Sequence, residues 1–243
     1  MARSPRIDVG GIAYHVINRR VAREILFEDD GDYAAFEKAL DETTRAIPAM
    51  RVVSYCLMPN HWHLVLWPKR DGELSAFMQR LTVTHMRRWH AHRGSTGSGP
   101  VYQGRFKSFP IEQDEHLLRV CRYVERNALR ARKVRQARNW PWCSLARRLA
   151  PQQPAWLMRA EDWPVEMPAN WEELVDEPQT QEEVDALRRS VNRGTPFGTP
   201  AWQHRTATRL KLQSSLRDPW RPKLPIKDRK RTTRPTEKHD ASR

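Results

Sequence analysis

The strongest constraint on this chain is the short distance between two apolar runs in its first third. Residues 50–57 read Met-Arg-Val-Val-Ser-Tyr-Cys-Leu, and a second run begins His61-Trp62-His63-Leu64-Val65-Leu66, with only Met58-Pro59-Asn60 between them. β-branched and aromatic residues dominate both runs, as in strands, and Pro-Asn marks a turn. A link that short leaves no room for a crossover, so the two strands form an antiparallel hairpin. Side chains alternate across a strand, which puts His61 and His63 on one face and Trp62 and Leu64 on the other. Two imidazoles on one face can grip a divalent cation. A surface strand that happens to carry two histidines shows the same pattern, and the motif alone does not separate the two.

The segments on either side narrow the fold. Residues 11–19 form a first strand, with Ile12, Tyr14, Val16 and Asn18 on one face and Ala13, His15 and Ile17 on the other. Residues 30–47 carry Tyr33, Phe36, Leu40, Thr44 and Ile47 at helical spacing, and Pro48 ends that helix. A second helix over 73–91 has Leu74, Phe77, Met78, Leu81 and Met86 as its apolar positions. After a Gly/Ser loop at 94–99, residues 103–111 make a fourth strand and 114–130 a third helix. The order β-α-β-β-α-β predicts an α+β fold, a ferredoxin-like split βαβ with an antiparallel sheet. Two helices pack one face of such a sheet, and the helix after the fourth strand can lie across the open face.

Beyond residue 139 the texture changes. Trp140, Trp142, Trp156, Trp163 and Trp171 stand among prolines and acidic residues, with short helices expected over 179–191 and 202–216. The stretch 220–243 is mostly Arg, Lys, Pro and Thr, has almost nothing to bury, and is expected to be disordered when free. The chain is thus expected to divide into a first domain over 1–150, a helical and irregular accessory extension over 151–219, and a basic tail over 220–243. Lys and Arg total 43 against 29 acidic residues, a formal charge of +14. That excess calls for a polyanionic partner, nucleic acid first and an acidic membrane surface second. No apolar run is long enough to span a bilayer, and no signal-peptide core follows Met1. Cys56, Cys121 and Cys143 lack CxxC spacing and read as small buried hydrophobes in a reducing, cytoplasmic compartment.

The third helix supplies the second informative element. Its core stripe is Leu117, Val120, Cys121, Val124 and Ala128. At 3.6 residues per turn, Tyr123 falls about 120° from the centre of that stripe and Asn127 about 80° on the same side. The two stack four apart on one flank, and Tyr123 is expected to be an exposed boundary aromatic. Arg119, Arg122, Arg126, Arg130 and Arg132 surround it, either as a solvated face or as phosphate contacts. A His pair, an exposed tyrosine and an amide are the parts of a metal-assisted phosphoryl transfer. A phenol with pKa near 10 is a weak nucleophile. A cation held by His61 and His63, with the amide oxygen of Asn127 completing its ligands, would polarise a phosphate for attack by Tyr123.

With these pieces in place the sequence resembles the single-tyrosine HUH transposases, whose hallmark is His-hydrophobic-His on a strand of a ferredoxin-like sheet. The matching stretches are Tyr14-His15-Val16-Ile17-Asn18-Arg19, the run from Ser54 to Leu64 around His61-Trp62-His63, Gln103-Gly104-Arg105-Phe106-Lys107-Ser108, and Tyr123-Val124-Glu125-Arg126-Asn127. They cover roughly residues 10–145, and the REP-associated tyrosine transposase branch is the nearest match. Asn127 stands where insertion-sequence members usually carry glutamine, and residues 188–198, with Trp202 and 210–217, resemble that branch's C-terminal extension. Two positions depart from the pattern: Ala128 where proline is common, and Trp220-Arg221-Pro222-Lys223 where a Gly-Arg-Pro-like element is typical.

The resemblance implies cleavage and joining of single-stranded or hairpin DNA of the repetitive extragenic palindrome type. Tyr123 would form a 5′-phosphotyrosine, and His61, His63 and Asn127 would hold Mg2+ or Mn2+. Arg105, Lys107, Arg126 and Arg130 would contact the phosphates. No small-molecule cofactor and no membrane partner is implied. A bacterial, nucleoid-associated protein is expected, with monomer and homodimer both open. One alternative is a catalytically idle DNA- or RNA-binding protein of transposase descent. Another is a zinc hydrolase, disfavoured because no further His, Cys or Glu falls at the spacing such a site needs.

Overall fold

The computed structural model describes residues 7–217. The basic tail at 220–243, with its Trp220-Arg221-Pro222-Lys223 element, lies outside the described residues. Four strands, β1 (Ala13–Arg19), β2 (Met50–Met58), β3 (His61–Pro68) and β4 (Lys107–Ile111), form one sheet in the order β2-β3-β1-β4. All three neighbouring pairs are antiparallel. Helices α1 (Asp30–Ala46) and α2 (Glu73–His92) fill the two crossovers, and α3 (Glu115–Glu125) with α4 (Asn127–Arg130) follows β4. This is the α+β split βαβ arrangement expected from the sequence.

Strand alternation sorts the side chains into two cores. Tyr14, Val16, Trp62, Leu64 and Leu66 face α1 and α2, where they meet Phe36, Leu40, Phe77, Met78 and Leu81. Ala13, Val65, Phe109 and Ile111 face the other way, against Leu117, Val120, Cys121 and Val124 of α3. The α1 helix starts where Asp29 accepts from the backbone N–H of Asp32, a side-chain cap that satisfies one orphan donor of the first turn.

A β-bulge in β2 was not foreseen. Val52 pairs with Leu66 and Ser54 with Val65, so Val53 is the extra residue. Met50 and Val52 differ in parity from Tyr55 and Leu57, and only an inserted residue lets all four join the same core. The bulge also frees the Val53 carbonyl, which accepts from the Arg148 guanidinium.

Both sheet edges are covered, which blocks pairing with another chain. Along β2, Leu57 N–H donates to the Trp142 carbonyl, Tyr55 N–H to the Ser144 hydroxyl, and Met158 N–H to the Val52 carbonyl. Along β4, Phe197 N–H donates to the Pro110 carbonyl and Glu112 N–H to the Phe197 carbonyl.

Several expected boundaries shift. The fourth strand is shorter than 103–111, because Gln103 N–H bonds the Arg19 carbonyl and the next residues loop out before β4. The third helix is divided at Arg126, although that residue keeps right-handed helical angles. The C-terminal part contains α5 (Ser144–Leu149), α6 (Trp171–Asp176), α7 (Gln181–Arg193), α8 (Pro200–Arg209) and α9 (Gln213–Leu216). The helix expected over 202–216 is interrupted where Lys211 takes a positive φ of 57°. Trp140 and Trp142 are packing residues: Trp142 stacks on Tyr33 at 5.1 Å, and Trp140 Nε1 donates to the Leu57 carbonyl. Trp163 and Trp171 are also buried, against the α3 core with Val175, Leu187 and Phe197. The three cysteines are free and buried. Among the described residues no helix is long and apolar enough to cross a membrane.

Candidate active site

The two-residue turn Pro59-Asn60 delivers His61 and His63 to the start of β3, on the α3 side of the sheet. Their ring centroids are 5.1 Å apart. Asn60 Nδ2 donates to the Arg23 carbonyl, which turns its Oδ1 toward His61 Nδ1 at 2.6 Å. An amide oxygen only accepts, so His61 carries its proton on Nδ1 and keeps its lone pair on Nε2. Nδ1 of His63 is also engaged, at 2.8 Å from Nε2 of His15 on β1. Each imidazole of the pair is therefore held at Nδ1, with Nε2 left over.

Burial, then the nearby Arg19 and Arg130 charges, lower the His61 pKa to about 4. Burial, followed by His15, His61, Arg130 and Arg19, holds His63 well below its ordinary value. Burial alone takes His15 to about 3. All three rings are neutral at physiological pH, the state in which imidazole is a metal ligand.

The α3 helix lies across this face and brings Tyr123 edge-on to His63, with centroids 5.9 Å apart, and to His15 at 6.4 Å. The expectation of an exposed tyrosine is corrected: Tyr123 is only 7% exposed. A flank position is open to water only on a helix with one packed side. Here the sheet covers one side of the ring and the Arg130 guanidinium, 4.1 Å from the centroid, covers another. Asn127 is also buried, and its Oδ1 accepts from Arg130 Nη2 at 2.7 Å. Asn127 Nδ2 and Arg130 Nη1 are buried without protein partners. The His pair and Asn127 suit a divalent cation by donor type, with imidazole nitrogens favouring Mn2+ over the harder Mg2+. The Asn127 oxygen is shared with Arg130.

A second group of donors lies at the start of α3. Ligand atoms of Glu112, Asp114 and His116 all fall within 4.8 Å of one another. One oxygen of each carboxylate and one imidazole nitrogen are already engaged within the protein. Glu112 accepts from Thr199 N–H, while Asp114 caps the helix at His116 N–H and meets His116 Nδ1 at 2.8 Å.

Of the arginines and lysines singled out in the sequence, Arg105 and Lys107 are exposed and line a groove of about 440 Å3 together with Arg19 and Arg23. Arg19 lines the groove and pairs with His61 in the sheet, and its charge acts on both histidines, although neither histidine lines the groove itself. Arg126 stands apart, half-buried with Nη1 unpartnered, and Arg130 points at Asn127 and Tyr123.

Four contributors were missed in the sequence. Arg19 and Arg23 gave no signal before the strand order was known. His15 was readable as facing the α3 side, but not as the neighbour of His63. Glu125, between Tyr123 and Asn127, is fully buried. Its Oε1 accepts from Arg148 Nη1 at 2.5 Å, Ser144 Oγ at 2.5 Å and Ser54 Oγ at 3.2 Å, and its Oε2 from Trp171 Nε1 at 2.7 Å. It ties the end of α3 to β2, α5 and α6.

The model of the IS200-like transposase family matches residues 8–127. A solved REP-associated tyrosine transposase bound to a REP hairpin is similar in fold, with a TM-score of 0.51 and 19% identity over 65% of this chain and 92% of that one. A candidate transposase of Deinococcus radiodurans gives a TM-score of 0.35 and 15% identity over 51% of this chain and 95% of that one. No curated protein matches the chain.

Proposed function

This chain belongs, through residues 8–127, to the IS200-like transposase family, and on that premise we propose that it nicks and rejoins single-stranded DNA with Tyr123 as the nucleophile. The observation that carries this reading is the approach of Tyr123 on α3 to His63 on β3, with ring centroids 5.9 Å apart. Sixty residues separate the two in sequence, and a packed α-helix joins them across the sheet.

In this reading Arg19, Arg23, Arg105 and Lys107 hold the strand by its phosphates in the groove beside the His pair. The phenolic oxygen of Tyr123 forms a bond to phosphorus as the bond to the 3′ oxygen breaks. The proton lost by the phenol ends on that oxygen, so the products are a 5′-phosphotyrosine and a free 3′-hydroxyl. The Arg130 guanidinium over the Tyr123 ring favours the negative charge that develops there. His61, His63 and Asn127 would hold Mg2+ or Mn2+, which would polarise the phosphate when bound. Arg126 and Arg130 complete the cationic surroundings. The phosphodiester energy is kept in the covalent bond, so rejoining needs no nucleotide.

We assign the chemistry to residues 1–150 and an accessory role to 151–219. The REP-associated branch, with a hairpin substrate, is favoured by Asn127 in place of glutamine and by the C-terminal extension. The solved relative of similar fold is described as bound to a REP hairpin. Incubation with an end-labelled single-stranded hairpin and Mg2+ or Mn2+ tests the proposal. A denaturation-resistant protein–DNA adduct is expected, absent in Tyr123→Phe. The second reading, an idle DNA-binding protein, is favoured by one contact: Arg130 already occupies the Asn127 oxygen. Binding without any adduct, across substrates and both metals, would leave that reading standing.

A further inference from the structure

His15 is fully buried, and its Nε2 lies 2.8 Å from Nδ1 of His63. Two neutral imidazoles at that distance share one proton along the N–N line, so one ring donates and the other accepts. When His15 donates, His63 accepts at Nδ1, carries its own proton on Nε2, and has no lone pair to offer a cation. When His15 accepts, His63 is protonated on Nδ1 and its Nε2 is free. His61 faces no such choice, because the Asn60 amide is oriented by the Arg23 carbonyl.

We propose that His15 is a positioning residue that accepts the Nδ1 proton of His63 and so presents His63 Nε2, beside His61 Nε2, to a divalent cation. The inference rests on the cation-binding role of His61 and His63 in the preceding reading. Ligating histidines are commonly held in this way through their other nitrogen, which fixes both tautomer and ring plane. The packing supports the assignment. His15 stacks on Phe109 with centroids 4.8 Å apart and planes 29° apart, so its ring is clamped. In the β1–β3 register Ile17 sits opposite His63, and His15 reaches it diagonally.

His15 acts through His63 and is not a third ligand. Among the described residues, the three-donor group whose ligand atoms lie within 4.8 Å of one another is Glu112, Asp114 and His116, and the three imidazoles make no such group. The accepting state also has a cost. It puts the remaining proton of His15 on Nδ1, which is buried with no partner. In the free protein that unsatisfied donor opposes the binding-competent tautomer, so cation binding and the tautomer change are coupled.

The test uses the full chain and two substitutions, His15→Leu, which removes the acceptor, and His15→Gln, which places an amide oxygen near the position of Nε2. Mn2+ alone is titrated by calorimetry. His15→Leu is expected to bind about 10–100-fold more weakly, and His15→Gln to recover most of that loss. Long-range 1H–15N spectra with Mg2+ bound should show the His63 proton on Nδ1. Thermal melting of both variants serves as the control. Equal Mn2+ affinity in wild type and His15→Leu, or a His63 proton on Nε2 with the cation bound, would overturn the proposal while leaving the cation site intact. Mn2+ binding that survives His61→Ala and His63→Ala, or no Mn2+ binding by the wild type, would instead remove the cation site and the role of His15 with it.

Discussion

Glu125 gives the sharpest test of how this fold holds its site. The substitution Glu125→Ala removes a carboxylate that is fully buried and accepts four hydrogen bonds from Ser54, Ser144, Arg148 and Trp171. The hydroxyls of the two serines can rotate to other acceptors, but two of the donors have no such freedom. The Arg148 side chain is 7% exposed and would be left as a buried charge facing no carboxylate. Breaking a buried pair from one side costs about 3–5 kcal/mol. The indole N–H of Trp171 would lose its acceptor as well, adding about 1–3 kcal/mol. Against a total stability of about 5–15 kcal/mol for a domain, the substitution should bring the protein close to unfolding. Urea denaturation followed by tryptophan fluorescence measures it. The pair can be isolated with a double-mutant cycle: Arg148→Met alone is expected to be costly too, and the Glu125→Gln, Arg148→Met double variant less costly than the sum of the two. An unfolding free energy for Glu125→Ala within about 1 kcal/mol of wild type would refute the reasoning, because that is the scale of an ordinary surface change. Loss of adduct formation by folded Glu125→Gln is the functional counterpart, since Glu125 anchors the turn of helix between Tyr123 and Asn127.

Acid should destabilise the protein early. His15 and His61, with folded pKa values of about 3 and 4, and His85, at about 3 through burial, bind protons in the unfolded chain near pH 6.5 but not in the folded one. The unfolded state thus holds more protons below about pH 6.5, and stability falls as pH drops, by up to about 1.4 kcal/mol per pH unit for each histidine. Urea midpoints between pH 7 and 4.5 check this, and a flat profile would contradict it. His85→Gln should reduce the slope without touching the site, since His85 projects from α2 to meet the Tyr102 hydroxyl on the other side of the sheet. Arg105→Ala and Lys107→Ala change exposed groove residues and should weaken single-stranded DNA binding at low salt. Each should reduce the slope of log affinity against log salt by about 0.7, and unchanged slopes would remove these two residues from the phosphate path.

The sequence by itself determined what depends on local periodicity. The short link of the hairpin, the alternation that puts His61 and His63 on one face, and the helical stripes of α1, α2 and α3 all follow from covalent geometry. So the order of elements, the two faces of the sheet and the flank shared by Tyr123 and Asn127 were legible residue by residue. Tertiary structure decided what depends on segments far apart in the chain. His15 meets His63 only because β1 docks beside β3, and Glu125 finds its donors on β2, α5 and α6. The bulge at Val53 exists because two apolar pairs of opposite parity must enter one core. Tyr123 is buried because the sheet and Arg130 close over a flank that an isolated helix would expose to water. Trp163 and Trp171 pack inside because α3 offers apolar surface there, something composition could not say. A periodic pattern tells which way a side chain points from its own element. What it points at is settled by the other elements, through burial and hydrogen bonding across the sheet.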